Sequence, residues 1–189
     1  MKRIILTLCA VILAVTLNAQ EHMTFKGVSM GCNITSFISQ LKTKGFTIEH
    51  QADNGAILKG DFAGKSGCTV IVLPTKVNKL VWKVVVQFPE KSSWYSLKSE
   101  YKTFKESYTE KYGKPESYEF FSRPYEEGDG YEMTALSVDK CTYVSYYTVP
   151  EGNIAVEISD DKCVEVHYED AINTAIKAKE QETSVSEDI

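Results

Sequence analysis

Two amphipathic segments that end at glycine divide the chain into two blocks, and this order constrains the fold more than any other feature. The first segment, at about 33–44, carries apolar residues at helical spacing and stops at Gly45. The second, at about 93–112, repeats aromatic and apolar residues in steps of three and four and stops at Gly113. Since glycine adopts the left-handed conformation that commonly ends a helix, both segments are predicted helices with defined ends.

Short strand-like runs follow each predicted helix. In the first block they lie at about 46–51, 55–62, 68–73 and 79–88. In the second they lie at about 117–122, 131–138, 141–148, 153–158 and 163–168, before a last helix at about 169–179. The sequence therefore predicts an α+β fold, with an antiparallel sheet of about eight to nine strands, two principal helices on one face and a short C-terminal helix.

The same order predicts how the chain is organised. Residues 1–19 are predicted to be a signal peptide, 20–179 a single α+β domain, and the acidic, aperiodic residues 180–189 a disordered tail. The domain contains two candidate repeats, about 27–92 and 93–168, each a helix followed by strands. A single domain without duplication is the alternative.

The N-terminus predicts export to the periplasm or the medium. Lys2 and Arg3 precede an apolar run from Ile4 to Leu17, and a small residue, Ala19, stands at the predicted cut. No later segment is long and apolar enough to predict a transmembrane helix. Cleavage of the signal peptide would remove Lys2 and Arg3 and change the net charge from −5 to −7. A negative charge of this size, together with the absence of a basic cluster in the sequence, disfavours nucleic acid as a partner.

Four cysteines remain after the predicted cut: Cys32, Cys68, Cys141 and Cys163. In an oxidising compartment the pairs Cys32–Cys68 and Cys141–Cys163 are the preferred disulfides, and free buried thiols are the alternative. If the strands of Cys141 and Cys163 flank a common strand, about 10 Å separates these residues, which is beyond disulfide reach.

Three glycine-containing segments carry a resemblance to a known class of proteins. They are Gly27-Val28-Ser29-Met30-Gly31, then Phe37…Leu41…Gly45-Phe46, and Tyr112-Gly113-Lys114-Pro115. Together they span most of residues 27–168, and the pattern resembles small exported bacterial proteins built from helix-plus-four-strand units. The beta-lactamase inhibitor protein and the SmpA/OmlA outer-membrane assembly lipoproteins are examples. The resemblance implies a curved antiparallel sheet with helices on one face and an open face for partners.

No catalytic site, cofactor or metal site is predicted. The sequence contains no phosphate-binding loop, no dinucleotide-binding glycine pattern, no nucleophile elbow and no HExxH motif. Strand alternation places Cys163, Glu165 and His167 on one face, but about 13 Å separates i from i+4, so a thiol–imidazole pair is excluded. Glu165 and His167 are expected to form an exposed polar pair. The acidic loop at 126–130 is expected to be a solvated hairpin tip rather than a calcium site.

The tyrosines give the most specific indication of function. All eleven follow residue 94, and tyrosine suits recognition because it offers a large contact area with few rotatable bonds. The predicted binding residues are Tyr118, Tyr131, Tyr143, Tyr147 and His167, although the strand tyrosines can equally belong to the core. The leading hypothesis is an exported, non-enzymatic binding or inhibitor module for a protein or cell-envelope ligand. A cell-envelope structural or assembly factor is the alternative, and a hydrolase with an unrecognised site is third.

Overall fold

The computed structural model describes residues 21–187, with side chains to residue 183. The predicted signal peptide, 1–19, lies outside the described residues. The described part of the chain forms an eight-stranded antiparallel sheet, a two-stranded sheet and four helices, which confirms the predicted α+β fold. Within it, every helix is too short or too polar to cross a bilayer.

The first half of the chain consists of a small hairpin, one helix and four strands. In chain order they are β1 (Thr24–Phe25), β2 (Val28–Ser29), α1 (Ile34–Thr43), β3 (Thr47–Ala52), β4 (Gly55–Phe62), β5 (Lys65–Pro74) and β6 (Val81–Gln87). The second half also combines one long helix with four strands, and adds a short internal helix and a C-terminal helix. Its elements are α2 (Trp94–Tyr112), β7 (Glu116–Phe121), α3 (Glu132–Ser137), β8 (Cys141–Val149), β9 (Gly152–Ile158), β10 (Val164–Asp170) and α4 (Ala171–Glu187).

The large sheet has a mirror-like strand order, β3-β4-β5-β6-β10-β9-β8-β7. In each half the first strand lies at an edge of the sheet and the following strands lie successively closer to its centre. The last strands of the two halves, β6 and β10, pair antiparallel there. Every residue of the edge strand β3, and every residue of β7 except Phe121, is exposed to solvent. This order agrees with two helix-plus-four-strand units, and their origin by duplication stays a prediction.

Side-chain caps explain where the two principal helices begin. Asn33 accepts a hydrogen bond from the Ser36 amide at 2.9 Å, and Ser93 accepts one from the Ser96 amide at 3.3 Å. Gly113, with φ of 86°, ends α2 while its amide still bonds within the helix. Both helices therefore begin and end within two residues of the predicted positions.

The core lies between one face of the sheet and the helices α1 and α2. In β6, Val84 and Val86 point into this layer and are fully buried. Aromatic contacts join the two halves across it: the rings of Phe88 and Phe104 stack at 4.1 Å, and those of Phe25 and Tyr168 meet at 5.5 Å. Each fully buried side chain of this size contributes about 1.5–3 kcal/mol of burial free energy.

The strand predicted at 131–138 is wrong, because these residues form the helix α3. Ala135 and Leu136 are adjacent in sequence and both buried, which suits one side of a helix and not alternation along a strand. Two carboxylates support the start of the helix: Asp129 of the preceding loop accepts from the Tyr131 amide at 2.7 Å, and Glu132, the first residue of α3, accepts from the Gly128 amide at 2.9 Å.

The C-terminal helix is longer than predicted. α4 extends to Glu187, whereas the sequence predicted that the last helix ends at about residue 179. Glu180 explains part of this extension. Its carboxylate accepts hydrogen bonds from the amides of Val77 and Asn78, at 2.9 and 3.0 Å, which ties the helix to the β5–β6 turn.

The four described cysteines are free thiols, so neither preferred disulfide is present. Cys141 lies in β8 and Cys163 immediately precedes β10, and β9 runs between these two strands. The separation that argued against this pair in the sequence is therefore found in the sheet. Cys32 precedes α1 and is half-buried, whereas Cys68 lies buried in β5.

Candidate functional site

The sheet has one covered face and one open face. The covered face packs against α1 and α2, while alternate residues of the same strands point the other way. On the open face the paired residues Ile71, Val85, His167, Ala155 and Tyr146 follow one another across β5, β6, β10, β9 and β8. The open face is thus aliphatic on one side, polar at its centre and aromatic on the other side.

Tyr143 and Tyr147 lie on the covered face, so the prediction that they are exposed anchors is corrected. Their exposed fractions are 4% and 2%. Tyr143 packs edge-on against Trp94 and Tyr101 in α2, and the Tyr147 hydroxyl donates to the carbonyl of Lys105 at 2.8 Å. These two tyrosines pack the sheet against α2 and are not available for contact with a partner.

An exposed aromatic patch lies on the opposite face of the same strands. We define it as Tyr118 and Phe120 of β7 and Tyr146 of β8, which are 44%, 49% and 44% exposed. The rings of Tyr118 and Tyr146 meet edge to face at 6.3 Å. Tyr118 is thus the predicted binding tyrosine that the open face displays. Tyr131 is also exposed, but it lies in the loop before α3 and not on a strand.

His167 lies at the centre of the open face between two carboxylates. Its Nε2 atom is 3.0 Å from Glu157 Oε1 and 2.8 Å from Glu165 Oε2. Glu157 and Glu165 are directly paired across β9 and β10, and His167 follows two residues along β10. We call these three residues the Glu–Glu–His cluster. The predicted pairing of Glu165 with His167 is present, but Glu165 is only 8% exposed, so the expectation of an exposed pair is wrong.

Contacts within the cluster shift the pKa values of His167 and Glu165. Burial alone would lower the pKa of His167, but its hydrogen bonding to the carboxylates of Glu157 and Glu165 and the charge of Glu157 raise it to about 9. Burial would raise the pKa of Glu165, but hydrogen bonds from His167 and Gln87 lower it. The imidazole is therefore held between the carboxylates of Glu157 and Glu165.

An acidic groove opens beside the cluster. It has a volume of about 650 Å³ and runs between α3 and the turn at 159–162. Its five acidic side chains are Asp139, Glu157, Asp160, Asp161 and Glu165, and none of the described residues that line it is lysine or arginine. Tyr146 also lines the groove, so the acidic groove and the aromatic patch form one continuous surface.

Cys163 does not complete a nucleophilic site with His167. Burial, followed by the charge of Glu165, raises the pKa of its thiol to about 12, so it is protonated at neutral pH. The carboxylates of the 126–130 loop are also engaged. Glu127 pairs with Lys98, and Asp129 accepts from the amides of Glu126 and Tyr131.

Glu157 is the member of the cluster that sequence reasoning missed. The turn Ser159-Asp160-Asp161-Lys162 was recognisable as a hairpin turn, and its register pairs Ile158 with Val164. That register places Glu157 opposite Glu165 on the same face. The short hairpin was therefore the signal that could have identified it.

Comparison of the chain with protein-family models, with curated proteins and with solved structures finds no match. The charges and contacts of the open face are therefore the basis for assigning a function.

Proposed function

We propose that the protein is an exported, non-enzymatic binding module that holds a basic segment of a partner protein on the open face of its sheet. The observation that carries this proposal is the continuity of the acidic groove with the aromatic patch through Tyr146. Export is proposed from the N-terminal pattern of residues 1–19.

The two parts of this surface suit one kind of ligand. Carboxylates attract lysine and arginine over long range, and an aromatic face adds a cation–π contact of about 0.5–1 kcal/mol at an exposed site. Tyrosine and phenylalanine on strands lose little conformational entropy when they are covered. A segment that places a basic side chain in the groove can therefore lay its neighbouring residues on the patch.

The position of the helices also supports the proposal. α1 and α2 cover one face of the sheet, and the aromatic patch on the other face remains exposed. This is the arrangement that the resemblance to helix-plus-four-strand binding proteins implies. A partner at the cell envelope, as in the assembly-factor alternative, would use the same surface.

A peptide-binding experiment tests the proposal. A short arginine- and lysine-rich peptide is titrated by fluorescence anisotropy against the protein, next to a peptide with glutamate in place of its basic residues. We expect binding of the basic peptide, about tenfold weaker binding by Tyr146→Ala and by the double variant Asp160→Asn/Asp161→Asn, and a strong dependence on salt.

Tyr95→Ala is the matched control, because Tyr95 is 84% exposed on α2, away from the open face. It should bind as well as the wild type. Equal affinity for the basic and acidic peptides, or equal losses in Tyr95→Ala and Tyr146→Ala, would show that this surface is not selective for basic segments.

A further inference from the structure

We propose that the Glu–Glu–His cluster is a binding site for a divalent transition-metal ion. This site goes beyond the proposed function, since an ion can occupy it whether or not a partner protein is bound. Each of the three residues offers one ligand atom within 4.8 Å of the others, and His167 Nε2 lies 3.0 Å from Glu157 Oε1 and 2.8 Å from Glu165 Oε2.

The donor set is typical of a metal centre and not of a solvated acidic patch. It combines one imidazole nitrogen with two carboxylates, a mixture that suits zinc, manganese or iron better than calcium. The carboxylate of Glu165 and the ring of His167 are largely removed from water, with exposed side-chain fractions of 10% and 15%. Two carboxylates face a single imidazole here, and a divalent ion would offset the negative charge that the imidazole alone does not balance.

The imidazole of His167 cannot satisfy both carboxylates with hydrogen bonds. Nε2 carries at most one proton, yet it faces two carboxylate oxygens at 2.8 and 3.0 Å. One N–H cannot be aligned with both oxygens, so one anion lacks a well-directed donor. A metal ion satisfies all three atoms at once, and the proton of Nε2 leaves to solvent when the ion binds.

The two nitrogen–oxygen distances require little rearrangement. A tetrahedral ion with bonds of about 2.0–2.1 Å separates its ligand atoms by about 3.3 Å. The two nitrogen–oxygen separations therefore need to open by only a few tenths of an ångström. Side-chain rotation is sufficient, because Glu157 and Glu165 face each other on paired strands in the middle of a sheet.

A second layer of contacts holds the carboxylate of Glu165 in position. Gln87 Nε2 donates to Glu165 Oε1 at 2.9 Å, which leaves Oε2 directed at His167. Such outer contacts orient ligands and tune metal affinity. The nearby cation Lys83 is paired with Glu169 at 2.8 Å, so its charge is balanced.

The site is incomplete on its outer side, where the open face meets solvent. Three protein ligands with a free position are the pattern of sites that hold water or a substrate atom, whereas structural zinc sites use four. Glu157 also lines the acidic groove, so the free position of the ion faces that groove. A donor atom from a bound partner can therefore complete the coordination.

Calorimetric titration of the purified protein with Zn²⁺ and with Mn²⁺ tests the proposal. We expect one ion per chain, affinity at least about 100-fold weaker in Glu157→Gln, and affinity about 10–100-fold weaker in Gln87→Ala. Glu157 is partly exposed, so Glu157→Gln should keep the fold, which circular dichroism checks. Glu106→Gln is the control, because it removes an exposed carboxylate on α2 and should bind the ion as the wild type does.

Titration with Co²⁺ separates this site from the free thiols. Binding at the cluster gives d–d absorption bands without a sulfur-to-metal charge-transfer band, and these bands disappear in Glu157→Gln. Three results would overturn the proposal: no ion bound at millimolar concentration, equal affinity in Glu157→Gln and wild type, or a charge-transfer band that assigns the ion to cysteine.

Discussion

Tyr146 and Tyr147 are neighbours in sequence that have opposite surroundings. Tyr147 is buried under α2, where its hydroxyl bonds to Lys105 and lies 3.1 Å from the Thr109 hydroxyl. Tyr146 points from the other face of β8 and is 44% exposed. The same side chain therefore stabilises the fold at one position and is available for contact at the next.

Replacing each of the two tyrosines by alanine should separate these roles. We expect Tyr147→Ala to lower the free energy of unfolding by about 3–5 kcal/mol, because it leaves a cavity under α2. Tyr146→Ala should cost less than about 1 kcal/mol, because its ring is half in solvent. Urea denaturation measures both, and equal losses would contradict the assignment of the two faces.

At the scale of residues, strand alternation alone could not show which tyrosines of β8 are buried. Alternation separates Tyr143, Ser145 and Tyr147 from Val144 and Tyr146, but it does not say which set the helices cover. Ser145 makes the first set look suited to solvent. In the structure Ser145 is fully buried, and its hydroxyl bonds to those of Tyr101 at 2.7 Å and Ser117 at 2.9 Å. A hydrophobicity pattern cannot show that a serine is buried with its hydroxyl fully hydrogen-bonded.

At the scale of elements, the close approach of β8, β9 and β10 depends on a glycine. Gly152 begins β9 next to the end of β10, where a Cβ atom would lie 1.9 Å from the carbonyl oxygen of Glu169 and 3.0 Å from the amide of Ala171. Both neighbours are backbone atoms, so neither can move aside as a side chain would.

The variant Gly152→Ala tests this contact. We expect it to lower the free energy of unfolding by at least about 2 kcal/mol, since the strands must separate or bend to admit the methyl group. Asn153→Ala is the control, because Asn153 is exposed on the same strand and should change stability by less than about 0.5 kcal/mol. Thermal denaturation measures the stability of both variants. A Gly152→Ala variant as stable as the wild type would contradict the close backbone contact at Gly152.

The elements differ in how well the sequence predicts them. α1 and α2 carry caps, glycine stops and a long apolar face, so propensity and packing favour the same structure. α3 has six residues and no side-chain N-cap, and the carboxylates of Asp129 and Glu132 and packing on β8 determine it instead. The end of α4 depends on Glu180 reaching a turn about one hundred positions earlier, which no local pattern contains. The candidate site is also only partly predictable from local sequence. The register of the β9–β10 hairpin identifies Glu157, but the burial of the Glu–Glu–His cluster depends on the whole sheet.

At the scale of the molecule, the two halves share one core. Phe62 and Tyr168 meet edge to face at 6.4 Å, and Phe88 stacks on Phe104, so aromatic contacts cross between the halves. The pairing of β6 with β10 joins the halves at the centre of the sheet. Neither half can therefore bury its apolar surface alone.

A fragment ending at residue 92 tests this dependence. Residues 21–92 contain α1 and the first four strands of the large sheet, but they leave β6 as an unpaired edge with Val84 and Val86 partly uncovered. We expect no cooperative thermal transition in the fragment, and dispersed amide NMR signals to return when residues 93–187 are added. A fragment that unfolds cooperatively by itself would show two independent domains.

The mirror-like strand order also fixes a sequence of events during synthesis. β10 is the last strand to leave the ribosome, yet it lies at the centre of the sheet, between β6 and β9. The sheet cannot close until β10 has emerged, and its long-range pairings make closure slow. A chain that must pass through a translocation channel while unfolded benefits from this delay. The position of one strand thus links the architecture to the export that the N-terminal residues predict.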